Sequence, residues 1–489
     1  MRINALINEL LAYALEKGIL EEADYAYATN LLIDFFGEKG FTKEEIKARD
    51  LDAILDDLTA YALENGILGE DDIVSRDNFK AKTIDLLMDR PKEVIRKFHA
   101  FYKESPRKAT DYLYKLSKDV NYIQTKRIAQ NIKWKHGAEY GTIDLTINLS
   151  KPEKDPRLIA LQKGQKSGYP KCHLCLENEG YRGHIGYDGR SNLRIIPLNL
   201  NSEPWFFQYS PYSYFEEHSI VLNKEHVPMV INRGTFIKLA DFLDYFPEYF
   251  VGSNAELPIV GGSILNHEHY QSGRYRFPIE DAEAEFFRKA GDVEVYALRW
   301  PLSTVRIKSR NRESLIDYAA HILDAWREYE NKDLLIVNSK EEPHNTITPI
   351  SRKEEEFYVF DLILRNNHTT EDRPDGVFHP RQAFHHIKKE NIGLIEAMGL
   401  GILPGRLKTE FDLIGRFLSG DEEAGRDERL KKHWHWVERI KDRYNPETDA
   451  AGFVLEEAGK VFSEVLKDAG VFKMDEEGQQ AFREFLKSL

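Results

Sequence analysis

The chain has 489 residues, 42% of them hydrophobic and 31% charged, with a formal net charge of −14 and two cysteines. That balance describes a globular protein with room for about three domains and excludes a disordered or fibrous chain. The acidic surplus argues against a general binder of nucleic acid or anionic membrane, because both depend on an excess of Lys and Arg.

The N-terminal MRINALINELLAYALEKG has apolar residues at helical spacing with Glu9 and Glu16 among them, unlike a signal peptide, so the expected location is the cytoplasm. LLAYALEKGILEEAD from Leu10 recurs as LTAYALENGILGEDD from Leu58, and Gly18 and Gly66 stop the two amphipathic helices. Residues 1–115 therefore read as a helical domain with a two-copy helix repeat, too few copies for a solenoid, and a structural cap is its expected role. Beyond Tyr140 the texture changes. GTIDLTINL, LRIIPLNL and HSIVLNKEH alternate as half-buried strands, and helical patterns return in TFIKLADFLDYF and SLIDYAAHILDAWREYE. Between those two helical patterns lies the longest apolar run, Leu257 to Leu265, far short of the roughly 20 residues a membrane-crossing helix needs. A strand block near EFYVFDLILRN follows, with helices from about Phe384 to the end. No glycine-rich phosphate loop joins a strand to a helix, and the expected fold class is α+β around antiparallel sheet.

Chemistry concentrates in LPIVGGSILNHEHYQSG, residues 257–273. A strand-like apolar run leads into Gly261, Gly262 and Ser263, then His267, His269 and Gln271. In an extended backbone, residues two apart share a face, so both imidazoles and the Gln271 amide are expected on one side. A neutral imidazole is a competent nucleophile toward phosphorus, and small residues let backbone N–H groups approach phosphate oxygens. Cys172 and Cys175 form half of a tetrahedral metal site, with His218, His226 and His267 as candidates to complete it; reduced thiols without a role are the alternative from spacing alone. His433 and His435 also spell HxH, but they lie in a charged helical run where residues two apart diverge. His385 and His386 are adjacent, cannot both point one way in a strand, and are left outside the catalytic set.

The blocks KCHLCLENEG, SNLRIIPLNLNSEPWFFQYSPY, SIVLNKEHVPM, ELPIVGGSILNHEHYQSG, HNTITPI and FHHIKKENIGLIEAMGLGILPGRL resemble the galactose-1-phosphate uridylyltransferase family, specifically its second class, over roughly residues 3–480. The resemblance implies two fused histidine-triad-like halves: 116–275 with the catalytic motif, and 276–489 with a helical C-terminal region. It also implies a ping-pong exchange. UDP-glucose uridylylates a histidine, glucose 1-phosphate leaves, and galactose 1-phosphate takes the UMP. His269 is then the nucleophile, Gln271 contacts the transferred phosphoryl group, and Ser263 resembles a phosphate-holding serine at a spacing one residue longer. Metal ligands carry over to Cys172, Cys175, His226 and His267, for a structural zinc or iron ion and no organic cofactor. Glu268 stands where the better-known first class has proline.

Asn192 and Asn254 resemble asparagines that meet the uridine ribose and the nucleophile's surroundings. Lys388, Lys389 and Glu396 resemble the lysine and glutamate that bind the hexose phosphate and sugar hydroxyls, and Arg406 falls where a phosphate-facing group is expected. The expected partners are UDP-glucose and galactose 1-phosphate, without nucleic acid or membrane, and a homodimer is the assembly considered. The rival readings are a histidine-triad transferase or hydrolase using another nucleotide, a metallohydrolase with His267, Glu268 and His269 around the metal, and a non-catalytic nucleotide-binding module.

Overall fold

The computed structural model describes residues 2–150, 168–184, 187–262, 264–339 and 341–489. Its strands in chain order are β1 (Ile132–Ala138), β2 (Gly141–Ile147), β3 (Ile196–Leu200), β4 (Glu203–Tyr209), β5 (Ser219–Asn223) and β6 (Phe250–Gly252). These are followed by β7 (His269–Gly273), β8 (Ala284–Ala290), β9 (Val293–Leu298), β10 (Thr304–Ser309), β11 (Asn345–Glu354), β12 (Phe357–Asn366) and β13 (Leu400–Leu403). Helices precede, interrupt and follow them, and the fold class is α+β. Among the described residues no helix is long and apolar enough to cross a membrane. The chain forms two compact units, one of Met1–Lys126, Pro152–Ser213 and Glu217–His226, the other of Arg127–Lys151, Tyr214–Glu216 and Val227–Leu489.

In the first unit the repeat noted in the sequence is a repeat of capping geometry. Helices Arg2–Lys17 and Leu51–Glu64 end at Gly18 and Gly66, with φ of +70° and +69°. After each glycine the next N–H returns to the last turn, Ile19 to the Ala14 carbonyl and Ile67 to the Ala62 carbonyl, both at 2.9 Å. The left-handed residue lets the chain satisfy carbonyls that the helix end leaves open. Leu10 and Leu58 are fully buried at equivalent positions. Arg49 ties the two helices by bridging Glu9 and Asp57. Strands β3, β4 and β5 pair antiparallel in that order. Helices and strands share one unit through buried polar ties: the Tyr209 hydroxyl donates to the Thr110 carbonyl at 3.1 Å and Arg194 pairs with Asp85 at 2.8 Å.

The second unit is organised on the antiparallel run β7-β6-β11-β12-β10-β9-β8. Helix Arg312–Glu328 buries Leu315, Ile316, Ala319, Ile322, Leu323 and Trp326, the stripe its helical period demands. A buried triad joins strands: Asp361 on β12 accepts two bonds from Arg306 on β10 (2.6 and 2.9 Å) and one from Arg352 on β11 (2.8 Å). Both guanidiniums hold the Asp361 carboxyl below its ordinary range against the cost of burial.

A smaller sheet, β1-β2-β13, adds one parallel pair, β13 beside β2, to the otherwise antiparallel pairing. It also interrupts the helical run expected from Phe384 onward. Leu400–Leu403 alternates like a strand, and Gly401 allows it to pass the Phe462 ring, where a Cβ would come within 2.9 Å. The helices from Leu407 onward then cover this sheet with Phe411, Ile414, Val454, Phe462 and Leu466.

Candidate active site

The segment before the histidines is a turn, not the strand expected from its apolar residues. Pro258 has no N–H to give a ladder and Ile259 sits at φ +73°, a conformation incompatible with continued strand. The chain is then drawn against Asn254. A Cβ on Gly261 would lie 2.4 Å from the Ala255 carbonyl oxygen, and one on Gly262 would lie 2.7 Å from the Asn254 side-chain nitrogen. Both glycines are therefore required by close approach. Ser263 lies outside the described residues.

Strand β7 starts at His269, so the two-residue alternation places His269 and Gln271 on one face, while His267 belongs to the bend before the strand. The expectation that all three share a strand face is corrected by this start point. His269 Nδ1 lies 2.8 Å from the His267 carbonyl oxygen. A carbonyl can only accept, so Nδ1 carries the proton and Nε2 keeps its lone pair. Burial pushes the His269 imidazole down to about 4, so the ring is neutral at neutral pH.

The peptide that supplies this carbonyl is pinned from its other end, because the Glu268 N–H donates to the Val227 carbonyl at 2.7 Å. Glu268 turns its carboxylate to Lys238 (2.9 Å) and to the Tyr270 hydroxyl (3.0 Å), and both charged side chains are buried. The lysine was invisible to motif reading, since it sits thirty positions upstream on helix Arg233–Tyr245. Its only signal was a cation within an apolar helical stripe.

Strand β6 lies beside β7, with Gly252 opposite Gln271. A Cβ on Gly252 would be 3.0 Å from the Leu394 side chain, which brings the turn 393–396 against the same strand pair. Asn254 accepts from the Leu394 N–H at 2.9 Å. Glu396 accepts from the Gly393 N–H at 2.9 Å and from Lys388 at 2.7 Å. Asn254, Lys388 and Glu396 are thus gathered around one turn. Lys388 is buried, and the nearby Glu396 and Glu390 charges raise its ammonium above its ordinary range despite desolvation.

Three further predicted residues have other partners. Lys389 lines a separate cavity of the second unit. Arg406 donates to Glu410 at 2.6 Å and to the His386 carbonyl at 3.2 Å. Asn192, in the first unit, donates its amide to the Val120 carbonyl at 2.9 Å. The HxH set aside as divergent does diverge, but its first member is not idle. His433 is buried, its Nε2 2.8 Å from Glu410 and its Nδ1 2.9 Å from His386 Nδ1, while His435 is exposed. The buried spacing Leu430, His433, Val437, Ile440 was the available signal.

In the first unit, Cys172 and Cys175 hold their sulfurs 3.6 Å apart, and His226 Nδ1 lies 3.2 Å from the Cys175 sulfur. The Asn178 amide braces the turn by donating to both cysteine carbonyls at 2.8 Å. Burial pushes the Cys172 thiol up to about 12, so thiolate forms here only with a compensating cation. Two reduced thiols and an imidazole converging in this way suit a zinc-type ion.

An α+β frame that delivers a buried, neutral histidine with one ring nitrogen tied to the backbone is the architecture of a group-transferring enzyme. Residues 19–228 match the galactose-1-phosphate uridyl transferase N-terminal domain, and residues 242–413 match the C-terminal domain. A galactose-1-phosphate uridylyltransferase of Clostridium acetobutylicum is 50% identical, with 100% of each chain covered. One from Caldanaerobacter subterraneus subsp. tengcongensis is 47% identical over 99% of this chain and 97% of its own. Galactose-1-phosphate uridylyltransferase 1 of Streptococcus pneumoniae is 46% identical over 100% and 99%. No solved structure matches the chain. The chain belongs to the galactose-1-phosphate uridylyltransferase family.

Proposed function

We propose that the protein exchanges UMP between UDP-glucose and galactose 1-phosphate through a covalent uridylyl-His269. The observation that carries this reading is the tautomer of His269: Nδ1 bound to the His267 carbonyl leaves Nε2 as the nucleophile. Nε2 attacks the α-phosphorus, and the bond from that phosphorus to the bridging oxygen breaks. Glucose 1-phosphate leaves as a stable anion, so no strong general acid is required. An oxygen of galactose 1-phosphate then attacks the same phosphorus, and the electron pair of the N–P bond returns to Nε2. Positioning and charge stabilisation supply the acceleration.

Gln271 and Ser263 are assigned to the transferred phosphoryl oxygens, Asn192 to the ribose and Asn254 to the surroundings of the nucleophile. Lys388 or Lys389, with Arg406, is assigned to the hexose phosphate and Glu396 to the sugar hydroxyls. Cys172, Cys175 and His226, with His267 as fourth ligand, are assigned a structural zinc or iron ion that takes no part in a bond-making step. Residues 1–115 take a structural role, residues 116–275 and 276–489 are the two halves, and the working compartment is the cytoplasm, where reduced thiols persist.

Intact mass after mixing with UDP-glucose alone tests the reading. The expected result is one uridylyl group per chain, located on His269, with glucose 1-phosphate released. Near-normal exchange by His269→Ala would overturn it, and hydrolysis without an adduct would favour a metallohydrolase.

A further inference from the structure

The second unit carries another set of metal-type donors, Asp375, His379 and His385, each offering one ligand atom within 4.8 Å of the others. None belongs to the exchange chemistry or to the thiol cluster. They line a cavity of about 880 Å³, which also holds Lys389 and Gln382. His379 is buried, His385 half-buried and Asp375 exposed.

Both imidazoles turn one nitrogen to the same acceptor. His379 Nδ1 lies 3.2 Å from the Pro380 carbonyl oxygen and His385 Nε2 lies 2.9 Å from it. His385 Nε2 donates to that carbonyl and keeps a lone pair on Nδ1, whereas His379 stands between two oxygen acceptors, the Pro380 carbonyl on Nδ1 and Asn391 Oδ1 on Nε2, both at 3.2 Å. A carbonyl bound to the far nitrogen is the usual support of a metal-ligating histidine. A neutral His379 ring has one proton for these two acceptors, so its other nitrogen turns a lone pair toward an oxygen. Two acceptors at that distance repel each other unless a cation lies beside both or the amide turns.

Donors on a tetrahedral ion with bonds of about 2.0–2.2 Å stand roughly 3.4 Å apart, so the cluster must contract by up to about 1.4 Å to close. Asp375 is the member able to do this, because it is exposed and precedes Gly376, whose φ is +123°.

We propose that Asp375, His379 and His385, with Asn391 Oδ1 as a further oxygen donor, bind a divalent first-row metal ion of the zinc type. The donor set is mixed nitrogen and oxygen, suited to zinc, cobalt or iron(II), and its open positions face the cavity.

Cobalt(II) titration of the full chain, stripped of metal by a chelator, tests the proposal. Two equivalents are expected. One brings an intense thiolate-to-cobalt charge-transfer band, and the other brings only the weak visible bands of a nitrogen and oxygen site. Cys172→Ser should remove the first and leave the second. His379→Gln with His385→Gln should remove the second and leave the first. Asp375→Asn, an exposed and isosteric change, should weaken the second at least roughly tenfold with an unaltered melting temperature. A wild type that binds only the thiolate equivalent, or a second equivalent indifferent to both the histidine pair and Asp375→Asn, would overturn the site. Neither outcome bears on the uridylyl adduct.

Discussion

At the scale of single residues, Glu268 is the departure that decides most about the nucleophile's setting. A proline at this position would restrict the backbone by its ring but could not donate to Val227. Here the peptide joining His267 to Glu268 is held at both ends, its N–H by Val227 and its carbonyl by His269 Nδ1. The buried Lys238–Glu268 pair then anchors the side chain on the opposite face. Removing one partner leaves an uncompensated buried charge, so Lys238→Met should lose about 3–5 kcal/mol in urea unfolding. The double change Lys238→Met, Glu268→Gln should recover most of that loss. Glu268→Gln alone should keep the fold yet slow adduct formation from UDP-glucose roughly tenfold, because His269 loses part of its orientation. An additive double mutant would show that the pair is not coupled.

Among elements, the helix Leu407–Leu418 and the stretch around His433 enclose a polar chain in an apolar setting. Glu410 holds His433, His433 holds His386, and the His386 Nε2 atom has no hydrogen-bond partner among the described residues. Burial first, then the His433, Arg406 and Arg439 charges, push the His386 imidazole down to about 3, with Glu410 opposing; burial also lowers His433. A folded value below the unfolded 6.5 means that the unfolded chain takes up protons the folded chain refuses. Stability is thus fully present above pH 6.5 and falls as pH drops below it, by up to about 1.4 kcal/mol per pH unit for each such histidine. Glu410 acts in the same direction at lower pH. Burial opposes it, but His433 and Lys432 hydrogen bonds hold its carboxyl down to about 2, so its contribution disappears as pH falls from 4.5 toward that value. Urea unfolding at pH 7, 6 and 5 should show the decline, and His386→Asn should flatten it. An unchanged slope in that variant would remove His386 from the account.

Over the whole molecule, the last seventy-odd residues lie beyond the matched C-terminal domain yet form core of the second unit. Trp326 is fully buried, donates to the Arg365 carbonyl at 3.0 Å and packs on Phe472 and Phe485. Helix Glu476–Ser488 contributes Phe482, Phe485 and Leu486 to the same cluster. Deleting everything after Gly470 should therefore cost on the order of 5 kcal/mol or more, at roughly 1.5–3 kcal/mol for each large apolar side chain lost. It should also expose Trp326, read as a red shift in fluorescence and binding of a hydrophobic dye. A truncated chain with wild-type melting would show that the segment is an appendage.

Periodicity and punctuation made much of this readable in advance. The repeated Gly18 and Gly66 caps, the alternating strands and the helix Arg312–Glu328 are local consequences of steric freedom, pleat and helical pitch, and they act over a few residues. The two histidines before Gln271 and the paired cysteines stood out because their chemistry needs them close in sequence. The turn at Leu257–Val260 escaped apolar pattern reading, since Pro258 and the left-handed Ile259 outweighed hydrophobicity. Only tertiary structure joined Lys238 to Glu268, Glu410 to His433 and His386, and Asn254 to the turn that holds Glu396. Those partners lie from 23 to 140 residues apart in the chain. A buried charge or imidazole must find its partner wherever folding brings one, and no spacing rule in the sequence records that choice.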